Sequence, residues 1–113
     1  MGINDGGPSL TAGSMTFAQF QDYVKKLEQD RGFTGDSVLQ KCLLLGEEVG
    51  ELFRSVRKTT GVSMDVVAAH QENPAHEMAD ILIVLATIAN RLDIDLAEAI
   101  RAKEQINARR QWA

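Results

Sequence analysis

Hydrophobic residues recur at three- and four-residue spacing along most of this chain, and each patterned segment follows a residue that can cap a helix. The spacing predicts four helices. Their predicted starts are Thr16 with Gln19, Ser37 with Gln40, Asn73 before Pro74, and Asp95 with Glu98. Their predicted ends lie before Gly32 and near Lys58, Leu92 and Arg110. Because no segment alternates in polarity as a strand does, we expect an all-α fold, a four-helix bundle-like domain.

Two stretches lack this pattern. Residues 1–14 are rich in Gly and Ser, and Met15 resembles a natural start. We therefore expect residues 1–14 to be a flexible segment left by cloning and residues 15–113 to be the helical domain. Residues 59–72 are ambiguous, and we expect a loop there that holds a short helical turn over residues 64–69.

The third predicted helix is apolar on almost every side. Its apolar residues are Met78, Ile81, Leu82, Ile83, Val84, Leu85, Ile88 and Ala89. Such a helix must be covered all round, which four helices of a short monomer do poorly. We therefore expect a homo-oligomer, with a tetramer favoured over a dimer. A monomer that exposes a moderate apolar patch is the alternative.

Composition narrows the possible partners. The formal charge of −4 argues against a nucleic-acid polymer, whose partners usually present a basic face, but not against a nucleotide whose charge a metal meets. The single cysteine, Cys42, excludes an internal disulfide and fits the cytoplasm, and we expect it to be a small core residue. The longest apolar run, residues 81–86, is too short to span a membrane.

Two clusters of acidic residues lie on neighbouring helices. The second helix carries Glu47, Glu48 and Glu51, and the third carries Glu77 and Asp80. The core direction of the second helix is taken from its apolar stripe, Leu45, Val49, Leu52 and Val56. At about 100° per residue, Glu48 and Glu51 border that stripe while Glu47 faces water. Glu77 lies within the apolar stripe of the third helix, and Asp80 lies beside it.

Carboxylates at such positions need compensation, because burying like charges is costly. Protonation, basic partners or a bound cation would each supply it. Arg54 can pair with Glu51, which would make the chain a non-catalytic helical oligomerisation or interaction protein with structural salt bridges. All-oxygen ligands on two helices are, however, what Mg²⁺ accepts. A di-iron or zinc protease site is disfavoured because neither motif supplies the required histidines.

At these residues the sequence resembles the MazG-like nucleotide pyrophosphohydrolases of the all-α NTP pyrophosphatase superfamily. The resemblance rests on Gly46-Glu47-Glu48-Val49-Gly50-Glu51-Leu52 and on Glu77-Met78-Ala79-Asp80-Ile81-Leu82. The closing residues Lys103, Asn107, Arg110 and Trp112 are also similar, so that residues 16–112 are covered. Residues 63–71 have no clear counterpart and stay unassigned.

The resemblance implies hydrolysis of a nucleoside triphosphate between its α- and β-phosphates, in a role of cleaning the nucleotide pool and with deoxynucleotides as the expected substrates. It implies that Mg²⁺, with Mn²⁺ as a substitute, is held by Glu48, Glu51, Glu77 and Asp80. Glu48 or Glu51 would activate the attacking water, with Glu47 as the other candidate. Lys103 and Arg110 would bind phosphate oxygens, and Asn107 the sugar or base. Phosphoribosyl-ATP pyrophosphohydrolase and the dimeric deoxyuridine nucleotidases remain alternatives within the superfamily.

Overall fold

The structure is a computed structural model that describes residues 13–32, 35–60 and 73–110. These residues form helix α1 (Phe17–Arg31), α2 (Val38–Thr59), α3 (Pro74–Arg91) and α4 (Leu96–Arg109). No strand occurs among them, which confirms the all-α prediction for the described chain. The helical turn expected over residues 64–69 and most of the segment 1–14 lie outside the described residues. No described helix is long and apolar enough to cross a membrane.

Local capping sets where the helices begin. The Thr16 hydroxyl accepts from the backbone N–H of Gln19 at 3.0 Å, and the Gln19 side chain accepts from the Thr16 N–H at 2.8 Å. Ser37 and Gln40 form the same reciprocal box. The Asn73 side chain accepts from the N–H of Ala75 at 3.0 Å, on the other side of Pro74. These predicted starts are therefore confirmed, and each satisfies N–H groups that the first helical turn leaves open.

The box predicted at α4 is only half formed. Asp95 accepts from the Glu98 N–H at 3.1 Å, as expected. The Glu98 carboxylate turns away and binds Arg101 at 3.1 Å, so it does not return a bond to the Asp95 backbone. An exposed i,i+3 ion pair has replaced the second half of the box.

The described residues divide into two compact units. One contains the residues up to Gly35 together with those from Ala89 onward, and the other contains residues 36–88. The first unit therefore holds α1, α4 and the last residues of α3. The second holds α2 and most of α3.

A polar clamp organises the first unit. The Gln21 side chain donates to the Asn90 side-chain oxygen at 3.0 Å and to the Ile94 carbonyl at 2.8 Å, and it accepts from the Leu96 N–H at 2.8 Å. Asn90 donates back to the Gln21 carbonyl at 3.0 Å. The buried Gln21 amide thus supplies hydrogen-bond partners to backbone groups in the turn between α3 and α4. Val24 is fully buried one turn further along α1.

A buried ion pair joins α1 to the end of α3 in the same unit. The Arg91 guanidinium lies 3.1 Å from the Glu28 carboxylate, whose side chain is only 7% exposed. The charge-assisted hydrogen bond compensates for removing Glu28 from water.

In the second unit, α2 turns a different face inward from the one its apolar stripe predicts. Its buried residues are the polar Lys41, Ser55 and Lys58. The predicted stripe is only half-buried, and its last member, Val56, is exposed. The prediction that Cys42 is a core residue was wrong, because its side chain is exposed. The inward direction follows the face that carries Lys41, Glu48 and Ser55, about 60° from the stripe.

Helix α3 is covered along part of its surface. Val84, Ala86 and Thr87 are buried. Met78 and Leu82 keep 51% and 48% of their surface exposed, so the described chain does not cover this helix all round.

Candidate metal centre

Three of the four predicted metal ligands converge within the second unit. Glu48 on α2 and Glu77 and Asp80 on α3 each offer a carboxylate oxygen, and these oxygens lie within 4.8 Å of one another. Glu77 and Asp80 share one helix face because they are three residues apart. Glu48 and Glu77 are half-buried and Asp80 is exposed, so the cluster opens toward solvent.

The mutual repulsion of these carboxylates affects the pKa of Glu48. Burial raises the pKa of the Glu48 carboxyl above its ordinary value, and the negative charges of Asp80 and Glu77 raise it further. Glu51 and Glu47 add smaller repulsions of the same sign. A nearby positive charge stabilises the ionised form of a carboxylate that is surrounded by like charges. The arrangement is therefore suited to a hard cation, for which carboxylate oxygens are the preferred protein ligands.

The fourth predicted ligand, Glu51, lies outside this group of three. Its carboxylate is 3.6 Å from the Arg54 guanidinium, with both side chains about half exposed. This is the ion pair that the sequence offered as an alternative to metal binding, and it lies on the same helix as Glu48. Glu47 is exposed, as its predicted outward position requires.

The predicted substrate-binding residues lie in the first unit, at the C-terminal half of α4 and just after it. Lys103 is exposed. Asn107 is half-buried, and its amide donates to the Glu104 carboxylate at 2.9 Å. Arg110 is exposed and follows the last helical residue. Trp112 lies outside the described residues.

The sequence analysis missed two buried polar residues that share the inward face of α2 with Glu48. Lys41 and Ser55 are buried on the face of α2 that carries Glu48. The Lys41 ammonium lies 3.8 Å from Asp36, while the Ser55 hydroxyl is buried without a hydrogen-bond partner among the described residues. The spacing was a usable signal, because residues 41, 48 and 55 are seven apart and must share one face.

Comparison with known proteins shows which family this chain is similar to. The model of the MazG nucleotide pyrophosphohydrolase domain matches residues 34–112. A dATP/dGTP diphosphohydrolase of Cyanophage S-2L is 37% identical over 96 residues, which cover 85% of this chain and 73% of that relative. Uncharacterized protein YpjD of Bacillus subtilis (strain 168) is 38% identical over 63 residues, 56% of this chain and 57% of that protein.

No solved structure gave a significant match. The family match spans both carboxylate motifs and the closing segment, in agreement with the resemblance seen in the sequence. The chain is thus a nucleoside triphosphate pyrophosphohydrolase, and it belongs to the MazG nucleotide pyrophosphohydrolase family.

Proposed function

We propose that this enzyme hydrolyses a deoxynucleoside triphosphate between the α- and β-phosphates in a Mg²⁺-dependent reaction, giving a monophosphate and pyrophosphate. The observation that carries the proposal is the convergence of Glu48, Glu77 and Asp80 within 4.8 Å. Three carboxylate oxygens so close together repel one another, and a bound cation would balance their charge and that of a polyphosphate.

The donor set fits magnesium better than softer metals. All three candidate ligands are carboxylates, and no histidine or cysteine among the described residues joins the group. Glu48, Glu77 and Asp80 would hold the ion and leave positions open for water and phosphate oxygens, with Mn²⁺ as a substitute. When bound, the ion neutralises phosphate charge and lowers the pKa of a coordinated water.

The remaining task is to accept a proton from the attacking water, and three glutamates are candidates. Glu51, one turn beyond Glu48 and outside the group of three, would accept a proton from the attacking water or complete the metal shell after leaving Arg54. Glu48 is the second candidate for the proton, because it would lie beside the water that the ion binds. Glu47 would be the third candidate for the proton in an assembly that brings it to the metal centre of a neighbouring subunit.

Residues near the end of α4 are assigned to the substrate. Lys103 and Arg110 would bind phosphate oxygens through charge-assisted hydrogen bonds. Asn107 would contact the sugar or base after releasing Glu104, to which it donates at 2.9 Å.

The proposed substrate class and cellular role follow from the similarity to a known relative. The relative named dATP/dGTP diphosphohydrolase is similar over most of this chain, so we assign purine deoxynucleotides as the first substrates to test. Removal of unwanted nucleotides from the pool is the corresponding role, in the cytoplasm. We also propose that the enzyme works as a homo-oligomer, with a tetramer favoured, since Met78 and Leu82 on α3 remain about half exposed.

The test is pyrophosphate release from a panel of NTPs and dNTPs, with Mg²⁺, with Mn²⁺ and with a chelator. Magnesium-dependent release is expected, with dATP and dGTP ranked first. Glu77→Gln should raise the Mg²⁺ concentration that gives half-maximal rate, and Glu51→Gln should lower the rate by about 10²-fold or more if it handles the proton.

The matched control is Asp22→Asn, which removes an exposed carboxylate from α1 and should leave turnover unchanged. Release of single phosphates would move the cleavage point and refute the proposal. A rate unaffected by chelator, or by Glu77→Gln, would refute the metal assignment.

A further inference from the structure

The hydroxyl group of Ser55 differs from the other hydroxyls on the described helices. Ser55 is fully buried, at 0% exposure, and its hydroxyl has no hydrogen-bond partner among the described residues. Thr59 and Thr60 at the end of α2 and Thr87 on α3 each donate to a backbone carbonyl three or four residues earlier, at 2.7, 2.9 and 2.6 Å. A buried hydroxyl without a partner is costly, and it therefore calls for an acceptor that reaches it in another state of the enzyme.

Ser55 lies one turn beyond Glu51 on α2, on the side of Glu51 that carries Glu48. At about 100° per residue, Ser55 is rotated about 40° from Glu51 toward Glu48. Arg54 is rotated about 60° from Glu51 in the opposite direction. Side chains of a helix lean toward its N-terminus, so the Ser55 side chain extends over the turn that carries Glu51. Glu51 therefore has two neighbours on its own helix, Arg54 on the outward side and Ser55 on the inward side.

The structure shows Glu51 in the outward position. Its carboxylate lies 3.6 Å from the Arg54 guanidinium, with both side chains about half exposed. Exposed ion pairs of this kind contribute little to stability, so Glu51 can leave Arg54 at small cost. In the inward position the Ser55 hydroxyl would donate to a negatively charged oxygen, and such charge-assisted bonds are stronger than neutral ones. Glu51 and Glu48 repel each other, which favours the outward position until a cation is bound.

We propose that Ser55 is a positioning residue: its buried hydroxyl holds the Glu51 carboxylate in the inward position, beside the group of three carboxylates. The inference rests on the proposed function, because a cation at that group supplies the charge that draws Glu51 away from Arg54. It accounts for two observations together. Glu51 lies outside the group of three in this structure, and the hydroxyl that would hold it inside is buried one turn away without a described partner.

Metal titration without nucleotide tests the positioning. Mn²⁺ alone is added to the full chain, and electron paramagnetic resonance of the free ion gives its dissociation constant. Ser55→Ala should raise this constant about tenfold, the lower end of the effect expected when a residue that orients a metal ligand is removed. In a Glu51→Ala background the same substitution should change it by less than about twofold, because the carboxylate that Ser55 positions is absent. An equal effect in both backgrounds, or none in either, would overturn the proposal.

Urea unfolding in chelator separates positioning from a structural role. Since the Ser55 hydroxyl has no described partner to lose, Ser55→Ala should leave the unfolding midpoint unchanged or raise it. The matched control is Thr87→Val, which removes a buried hydroxyl that donates to the Val84 carbonyl at 2.6 Å and should lower the midpoint. A loss in Ser55→Ala as large as that in Thr87→Val would assign Ser55 a structural hydrogen bond and contradict the proposal.

Substitution of Arg54 tests the outward position. Arg54→Gln removes the outward partner of Glu51 and should lower the Mn²⁺ dissociation constant about two- to fivefold, the range that an exposed ion pair supports. Arg57→Gln is the matched control, because it removes an exposed positive charge three residues further along the same helix. It should have a smaller effect. Equal changes in the two variants would show a general effect of charge and would rule out two alternative positions for Glu51.

Failure of this inference can be told apart from failure of the proposed function. A wild type that binds Mn²⁺ and releases pyrophosphate, with Ser55→Ala indistinguishable from it, would overturn the role of Ser55 and leave the proposed function standing. A wild type that shows the expected coupling between Ser55 and Glu51 yet releases no pyrophosphate would refute the proposed function alone. No Mn²⁺ binding by the wild type would overturn the metal centre and this inference together.

Discussion

Replacing Glu48 with glutamine should stabilise the metal-free enzyme while weakening its response to magnesium. Glu48 faces the carboxylates of Glu77 and Asp80, and its pKa is raised by burial and then by those charges. Glutamine keeps the size and removes the charge. The expected effect is opposite in sign with and without metal, which distinguishes a metal centre from a set of structural carboxylates.

The magnitude follows from the geometry. At the 4.8 Å limit between ligand oxygens, one pair of unit charges repels by about 0.9 kcal/mol at the dielectric constant of water and by about 3.5 kcal/mol at an effective value of 20. Asp80 is exposed and its neighbours are half-buried, so the lower figure applies. Removing the two pairs that involve Glu48 should raise the free energy of unfolding by about 1–2 kcal/mol at neutral pH.

The sign of the pH dependence follows from the same shift. A carboxyl whose folded pKa exceeds its ordinary value of 4.5 holds more protons in the folded state across that window. The stability of the metal-free wild type therefore falls as pH rises through the window, and Glu48→Gln lacks that loss. The advantage of the variant should be present at neutral pH and disappear below the ordinary pKa of glutamate.

Urea unfolding followed by circular dichroism measures these effects, in chelator and in Mg²⁺. At a concentration one hundred times its dissociation constant, the metal should stabilise the wild type by about 2.7 kcal/mol and Glu48→Gln by much less. Glu47→Gln is the matched control: it removes an adjacent exposed charge outside the group of three, so it should retain the metal response. A wild type that gains no stability from Mg²⁺, or a Glu48→Gln protein less stable than wild type in chelator, would refute the reasoning.

Three further predictions concern the first unit, and urea unfolding measures each. Arg91→Ala should cost about 3 kcal/mol, because it removes the 3.1 Å ion pair that compensates for burying the Glu28 carboxylate, and adding Glu28→Gln should recover part of that loss. Gln21→Ala should cost about 2–3 kcal/mol through three lost hydrogen bonds, whereas the exposed Gln29→Ala on the same helix should cost little. Asp93 has a φ of 56°, so Asp93→Val should cost about 1–2 kcal/mol while Asp93→Gly is tolerated; equal losses in the two would contradict the conformational explanation.

The helix starts were predictable because capping is a local interaction. Thr16, Ser37 and Asn73 each bond to a backbone N–H two or three residues away, so the sequence contains both partners. That Glu77 and Asp80 lie side by side was also foreseeable, since the i,i+3 spacing places them on one face of a single helix. Residues within one or two turns determine where a helix begins and which side chains share one of its faces.

Which face of α2 turns inward was not predictable in the same way. The helix carries apolar residues around much of its circumference, so the period alone leaves its core direction ambiguous. Contacts remote in sequence settle such a choice. The Gln21 clamp is another case, because its partners lie 69 to 75 residues away and nothing beside Gln21 signals them.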